Sequence, residues 1–390
     1  MREGIFGRRV FIREQAFRSI PKDRWNALGV EAYPPLRHEF LVALEEGGCL
    51  GREVGWHPRP LLLEAEDGQL LAAVPAYLKE NSFGEFSYDW HWAAAHQQSR
   101  INYYPKLVVA SPFTPASGPR ILKNEASRIQ GVEGELVSRV IEYAEEETLS
   151  SVHFLFANEA GLESLGLIER HGCQFHWFNP GYKDFEDFLT QLTSKRRKEI
   201  LRERRQVREA GVEMRIRLGS EIEKPEWHEF HELYRGTFQK YGNHAALSEE
   251  FFVQVAASMG DRILLVTAHR NSEWIAAAWF LVGDRTLYGR YWGAKEEVAS
   301  LHFEACYYQG IEFAISQGLS SFEPGAQGEH KIPRGFLPTR TRSYHWIRHP
   351  GFREGIRRHV QAENLQIQAY IEMCRSKSPY RHADTAGTFS

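Results

Sequence analysis

The stretch Gly325–Phe336, GAQGEHKIPRGF, gathers the side chains of this chain most suited to chemistry. Its glycines permit left-handed backbone and close approach to a ligand. Glu329, His330 and Lys331 are consecutive, Arg334 follows, and Glu323 and Gln327 stand just before. This set suits acyl transfer to an amine. Such a reaction needs a base for the amine proton and donors for the oxyanion. Glu329 or His330 could be the base, with Glu323 as its orienter. Lys331, Arg334 or loop amides could be the donors, and Gln327 would help hold the substrate. The other reading of these residues is a surface loop whose charges pair among themselves.

A helix expected over Ala299–Gln317 adds His302, Glu304, Cys306, Tyr307 and Tyr308. His302 and Cys306 are four apart and share one helical face. A thiol beside an imidazole could be an activated nucleophile. It could equally be a buried cysteine beside a core histidine. No third metal ligand is evident, so no metal is expected. His302 would then line the site, and Glu304, off that line, would reach the loop. Arg290, Tyr291 and Trp292 end a strand candidate, where α/β sheets commonly contact ligands. Ordinary core packing would explain the same aromatics.

Lys195–Arg208, KRRKEILRERRQVR, carries more Arg and Lys than Glu. Such a helix, with Arg196 and Arg197 near its start, could hold phosphates or a tRNA backbone. It could also be a solvated face with its own ion pairs.

These residues must be positioned by alternating strands and helices. Ile263–Ala268, Ile275–Val282 and Thr286–Trp292 read as strands, and Leu319–Glu323 as a short strand before the loop. Phe185–Ala210 reads as one long helix. In the first half, Leu61–Ala65 and Leu70–Leu78 flank a polar turn, Glu133–Glu147 has a helical apolar stripe, and Ala160–His171 reads as a helix ended by Gly172. LLLEAEDGQLLAAVPAYL parallels LLVTAHRNSEWIAAAWFL, and YDWHWAAA parallels YGRYWGAK. The order of elements repeats, which indicates duplication of one α/β unit. The expected spans are 1–180, 181–350 and a C-terminal helix and tail, 351–390.

This order resembles the acyltransferase fold of the GNAT superfamily, in tandem. Two such units in one chain resemble the FemAB-like ligases. SKRRKEILRERRQVREAGVEMRI, LYGRYWGA, HFEACYYQGIEFAI and FEPGAQGEHKIPRGFLP are similar to a bacterial group of N-acyltransferases of peptidoglycan biosynthesis and recognition, as are YDWHWAAAH and YYPKLVVASPFTPASGPRIL. The resemblance implies tandem GNAT-like domains with mixed sheets flanked by helices. It implies transfer of an acyl or aminoacyl group to a small-molecule or peptide amine, with the main site in the second domain. A non-catalytic module that recognises a cell-wall precursor or peptide is the other function such a chain could have. Ordinary GNAT enzymes carry a glycine-rich pyrophosphate signature before a helix. The corresponding turn here, GAKEEVASLH, offers few glycine amides. Fem-type ligases also lack that signature and use aminoacyl-tRNA. The donor is therefore aminoacyl-tRNA or acyl-CoA, and no tightly bound cofactor is expected.

Bulk properties agree. A net charge of −3 gives no global field toward DNA or an anionic membrane. No run of about 18 apolar residues suggests a membrane span. The four cysteines are scattered, with no C-x-x-C pair, which points to reduced thiols and a cytoplasmic setting.

Overall fold

Pro75 divides what reads as a single strand over Leu70–Leu78. Proline cannot donate to a ladder, and the two pieces, Leu70–Val74 and Ala76–Lys79, enter different sheets. The computed structural model describes residues 10–14, 16–124, 131–326 and 328–381. Gln327, expected to contact substrate, lies outside the described residues. By compactness the chain forms two units. One holds the residues up to Gly172 together with Thr341–Gln368. The other holds Cys173–Arg340 together with the segment from Ala369.

In the first unit, one sheet pairs Val10–Glu14, Leu61–Ala65, Leu70–Val74 and Leu122–Lys123, in that order. The other runs through Trp56–Pro58, Ala76–Lys79, Lys106–Val109 and Ser151–Phe154. Its first pairings are antiparallel, and Lys106–Val109 is parallel to Ser151–Phe154. Tyr344–Ile347 then pairs antiparallel with Ser151–Phe154. The helix Val132–Glu146 lies between the two parallel strands in sequence. It buries Leu136, Val137, Val140 and Ala144 with Leu107, Val109 and Val152. This is the 3.6-residue stripe of a helix covering a sheet.

The second unit follows the same plan. Glu213–Leu218, Ile263–Arg270, Glu273–Val282 and Thr286–Ala294 are successive antiparallel strands. Ser321–Glu323 pairs parallel with Thr286–Tyr288, and Trp177–Phe178 pairs antiparallel with Ser321–Phe322. The crossover is a helix over Leu301–Ser316. Its buried residues Ala305, Tyr308, Ile311 and Ala314 join Leu264, Val266, Phe280 and Phe322 in one core. The fold is thus α/β, a tandem of mixed sheets flanked by helices.

In each unit one strand comes from the other half of the sequence: residues 344–347 in the first, 177–178 in the second. Continuous spans such as 1–180 and 181–350 cannot express that exchange. The C-terminal helix spans Pro350–Arg375. Ile356 and Val360 are buried in the first unit and Ile371 and Cys374 in the second. Three further elements differ from expectation. Residues 160–171 hold only the short turn Leu162–Leu165 before the strand Ile168–Phe178 begins. The long helix breaks at Leu192 and Thr193 into Phe185–Gln191 and Ser194–Glu209. Tyr88–Ala95, matched in sequence to Tyr288–Lys295, contains the start of a helix, Trp90–Gln98, not a strand. Its three consecutive alanines favour helix.

Each unit also buries a neutral histidine. His153, 1% exposed, and His176, 5% exposed, are both pushed down to about 3 by burial. An unfolded histidine titrates near 6.5. Below that pH the unfolded chain takes up protons that the folded chain refuses. The stability contribution is therefore full above pH 6.5 and is lost as pH falls toward 3. At pH 5 each unit should be about 2 kcal/mol less stable than at pH 7.5 from this source. Urea midpoints measured across that range check this; no change between pH 7.5 and 5 would refute it.

Candidate active site

The strand Thr286–Ala294 supplies one wall. Trp279 pairs with Tyr291, yet Phe280 pairs with Gly289, so Arg290 is an extra residue in a β-bulge. Bulges re-aim side chains and recur beside active sites. Successive side chains leave a strand on opposite faces. Tyr291 turns into an aromatic core, with ring centroids 5.0 Å from Tyr234 and 5.9 Å from Trp279. Arg290 lies 5.3 Å from the Tyr291 ring. Trp292 instead meets His302, edge to face at 5.5 Å.

His302 sits at the start of the crossover helix, which is α-helical over Leu301–Phe303, π-helical over Glu304–Tyr308 and α-helical again over Gln309–Ser316. The wider π turn carries one more residue per turn and is frequent at functional sites. Its effect here is concrete. His302 contacts the ring five residues on, Tyr307, at 5.3 Å. Burial, then the charges of His330, Lys331 and Arg334, hold His302 down at about 4. Burial raises the Cys306 thiol far above its usual range, and a protonated thiol is a poor nucleophile.

The loop brings His330 over this helix. His330 Nε2 and the Tyr307 hydroxyl are 2.9 Å apart. The His330 ring lies 6.1 Å from Phe303 and 6.4 Å from His302. Gly328, at φ +109°, is required for this arrangement, since a Cβ there would fall 2.3 Å from His330 Cε1. His330 is solvent-exposed by residue area. Partial desolvation of its ring, with Lys331 and Arg334 nearby, lowers its pKa from 6.5. Lys331 is 2% exposed and donates to the carbonyls of Gly325 at 2.8 Å and Ala326 at 3.3 Å. Burial lowers it to about 8.

Other expected site residues are used differently. Arg334 is buried and forms two hydrogen bonds to Glu203, at 2.6 and 3.2 Å, while it lies 3.3 Å over the Phe303 ring. It also donates to the His330 carbonyl. Tyr308 donates to the same Glu203 carboxylate. Glu304 does not reach the loop: it accepts from Arg204 at 3.0 and 3.2 Å and from Gln309 at 2.6 Å. Glu329 points outward to Tyr370 at 3.0 Å and Lys377 at 2.8 Å, and these partners lower its pKa. A carboxylate held that way is a weak base. Glu323 faces His176 at 3.8 Å, beyond hydrogen-bond range. Arg196 pairs with Glu199 at 2.8 Å and, with Arg197, lies on the helix Ser194–Glu209.

The structure thus brings together Trp292, His302, His330 and Lys331 with Tyr307, a residue noted in the helix but given no role there. Glu203, inside the basic stretch, was missed. The signal was present: Ile200, Glu203 and Val207 share one face, so the carboxylate had to be buried with a partner.

The chain belongs to the FemAB-like family, described as peptidoglycan biosynthesis/recognition, with residues 16–382 matched. It is similar in fold to FemX at 10% identity and TM-score 0.51, over 87% of this chain and 98% of that one. It is also similar to the C-terminal domain of a putative lysylphosphatidylglycerol synthetase from Agrobacterium fabrum, at 10% identity and TM-score 0.50, over 85% and 92% of the two chains. No curated protein matches it. Among the described residues, no helix is long and apolar enough to cross a membrane.

Proposed function

We propose that this protein transfers an acyl or aminoacyl group directly from a polyanionic carrier to an amine, at the loop Glu323–Arg334. The observation that carries this reading is His330, seated on Tyr307 at 2.9 Å and open to solvent. With its proton on Nε2, shared with the Tyr307 oxygen, His330 keeps Nδ1 as an acceptor. The amine nitrogen attacks the carbonyl carbon, and its proton passes to Nδ1. The tetrahedral intermediate then expels the carrier oxygen of an ester or sulfur of a thioester, which takes the proton from His330. Loop amides above the buried Lys331 charge stabilise the oxyanion. Arg334 and Glu203 position the loop rather than touch the substrate. Peptidoglycan biosynthesis supplies the pathway, and a peptide or small-molecule amine is the acceptor.

The donor reading rests on the helix Ser194–Glu209. Lys195, Lys198, Arg202, Arg205 and Arg208, with Glu199 and Leu201, line a shallow concavity of about 700 Å³ along its exposed side. The stripe runs about 20 Å. That length suits an extended phosphate backbone better than one pyrophosphate, so aminoacyl-tRNA is favoured over acyl-CoA. Arg202→Ala with Arg205→Ala should weaken aminoacyl-tRNA binding. It should also flatten the slope of log affinity against log salt by roughly 1 to 2. Transfer assays with aminoacyl-tRNA and with acetyl-CoA, run side by side, test the reading. An unchanged salt slope together with turnover on acetyl-CoA alone would refute the tRNA assignment.

A further inference from the structure

After the helix Pro350–Arg375 the chain reads Ser376-Lys377-Ser378-Pro379-Tyr380-Arg381. Proline cannot extend a helix, and it drives the residue before it toward extended backbone. The segment leaves the helix as a short strap. Its backbone closes on the two-residue break between the helices Phe185–Gln191 and Ser194–Glu209. Thr193 N donates to the Pro379 carbonyl and Arg381 N to the Gln191 carbonyl, both at 2.9 Å. Leu192 and Tyr380 thereby form an antiparallel bridge. Arg381 Nε adds a hydrogen bond to the Leu192 carbonyl at 2.9 Å.

From this anchor the Tyr380 side chain reaches the catalytic loop. Its hydroxyl donates to the Gly335 carbonyl at 2.8 Å and is hydrogen-bonded with the Tyr182 hydroxyl. Gly335 is enclosed here: a Cβ would fall 2.7 Å from the Phe188 ring and 3.2 Å from the Tyr380 oxygen. Burial, then Tyr182, raises the Tyr380 phenol well above its usual value, so it remains a donor at every working pH. At the start of the loop, Tyr370 and Lys377 hold Glu329. That hold is exposed, and exposed ion pairs contribute little.

The loop needs an external hold. Glu329–Arg334 is a single six-residue 3-10 turn. Its bonds run from Lys331 N to the Gly328 carbonyl, Gly335 N to Ile332 and Phe336 N to Lys331, the last at 3.4 Å. Such turns bond with poor geometry and seldom exceed about four residues. His330 is the second residue of the turn, so a shift at Gly335 moves its ring against the Tyr307 hydroxyl.

We propose that Tyr380 is a positioning residue for the transfer reaction. It clamps the end of the catalytic loop to the start of the basic helix, and so fixes His330 relative to a donor held along that helix. The assignment rests on the transfer reading and adds the element that holds its two parts in register.

The test is Tyr380→Phe, which removes the hydroxyl and keeps both the ring and the backbone bridge. Hydrogen–deuterium exchange of the free protein is read over 328–336 and, as internal reference, over Ile263–Arg270. Without the hydroxyl, exchange over 328–336 should rise about tenfold while the reference stays unchanged. Equal exchange in the two proteins, or a rise shared by both segments, would overturn the proposal. In transfer assays the variant should lose about tenfold in kcat at an unchanged KM for aminoacyl-tRNA. Its rate should still fall toward acid pH, since His330 remains the base. A raised KM with kcat intact would overturn the positioning role. If the parent protein shows no turnover, the transfer reading fails, and the exchange comparison still decides whether Tyr380 holds the loop.

Discussion

His330→Ala is expected to lower kcat by roughly 10²-fold or more, while Glu329→Gln and Cys306→Ser keep most activity. The three residues separate the mechanisms cleanly. Glu329 is exposed and held ionised by Lys377 and Tyr370, so its carboxylate offers little driving force to take a proton. Cys306 is held as a thiol by burial. His330 is exposed, close to Tyr307, and lowered from 6.5, first by desolvation and then by Lys331 and Arg334. A lowered pKa keeps the imidazole neutral at pH 7, the form that accepts a proton. The rate should therefore fall as pH drops through a value below 6.5. The same profile should close near pH 8, where Lys331 loses its charge. In His330→Ala the acid limb should vanish while the alkaline limb remains. A purely structural role for His330 would lower the whole profile without changing its shape.

Glu203→Ala should destabilise the second unit by roughly 3–5 kcal/mol, the cost of leaving one partner of a buried ion pair unpaired. Its carboxylate takes two hydrogen bonds from Arg334 and one from Tyr308. Removing it leaves a guanidinium buried against Phe303, still donating to the His330 carbonyl but without its carboxylate partner. Activity should fall with stability, because Arg334 fixes the backbone of His330. Chemical denaturation of the purified variant measures the first effect. A double change, Glu203→Leu with Arg334→Met, should recover much of the stability by replacing the pair with apolar volume. It should not recover the rate. A Glu203→Ala variant within about 1 kcal/mol of the parent would show that this pair is not the anchor.

Periodicity and punctuation made much of the second unit legible. The hairpin of Ile263–Arg270 and Glu273–Val282 follows from two apolar runs around a polar turn. The crossover helix ends as expected before Gly318, which takes φ +64°. The loop was recognisable because its residue types are poor core formers. What one dimension hid was of three kinds. Pairing of strands from the two halves of the sequence is long-range and has no local signature. The π turn that sets His302 against Tyr307 depends on packing rather than on spacing. Pairing partners decided the remaining roles. Arg334, Glu304 and Glu329 are the right chemical types for a site, yet each is committed to a neighbour more than 35 residues away in sequence. In the first unit, Lys106 stands among apolar and small residues in YYPKLVVASPFTPASGPRIL. Glu85 and Asp89, which it bonds, lie in an aromatic segment that gave no sign of an ionic core.

The most direct test of direct transfer is the intact mass of the protein during turnover. Purified protein is mixed with aminoacyl-tRNA and a peptide amine, quenched in acid at intervals, and protein and acceptor are weighed together by mass spectrometry. Direct attack at the loop predicts an acylated acceptor, protein of unchanged mass at every time, and slow product formation in His330→Ala. A transient mass increase of one acyl group on the protein, lost in Cys306→Ser along with all product, would contradict it.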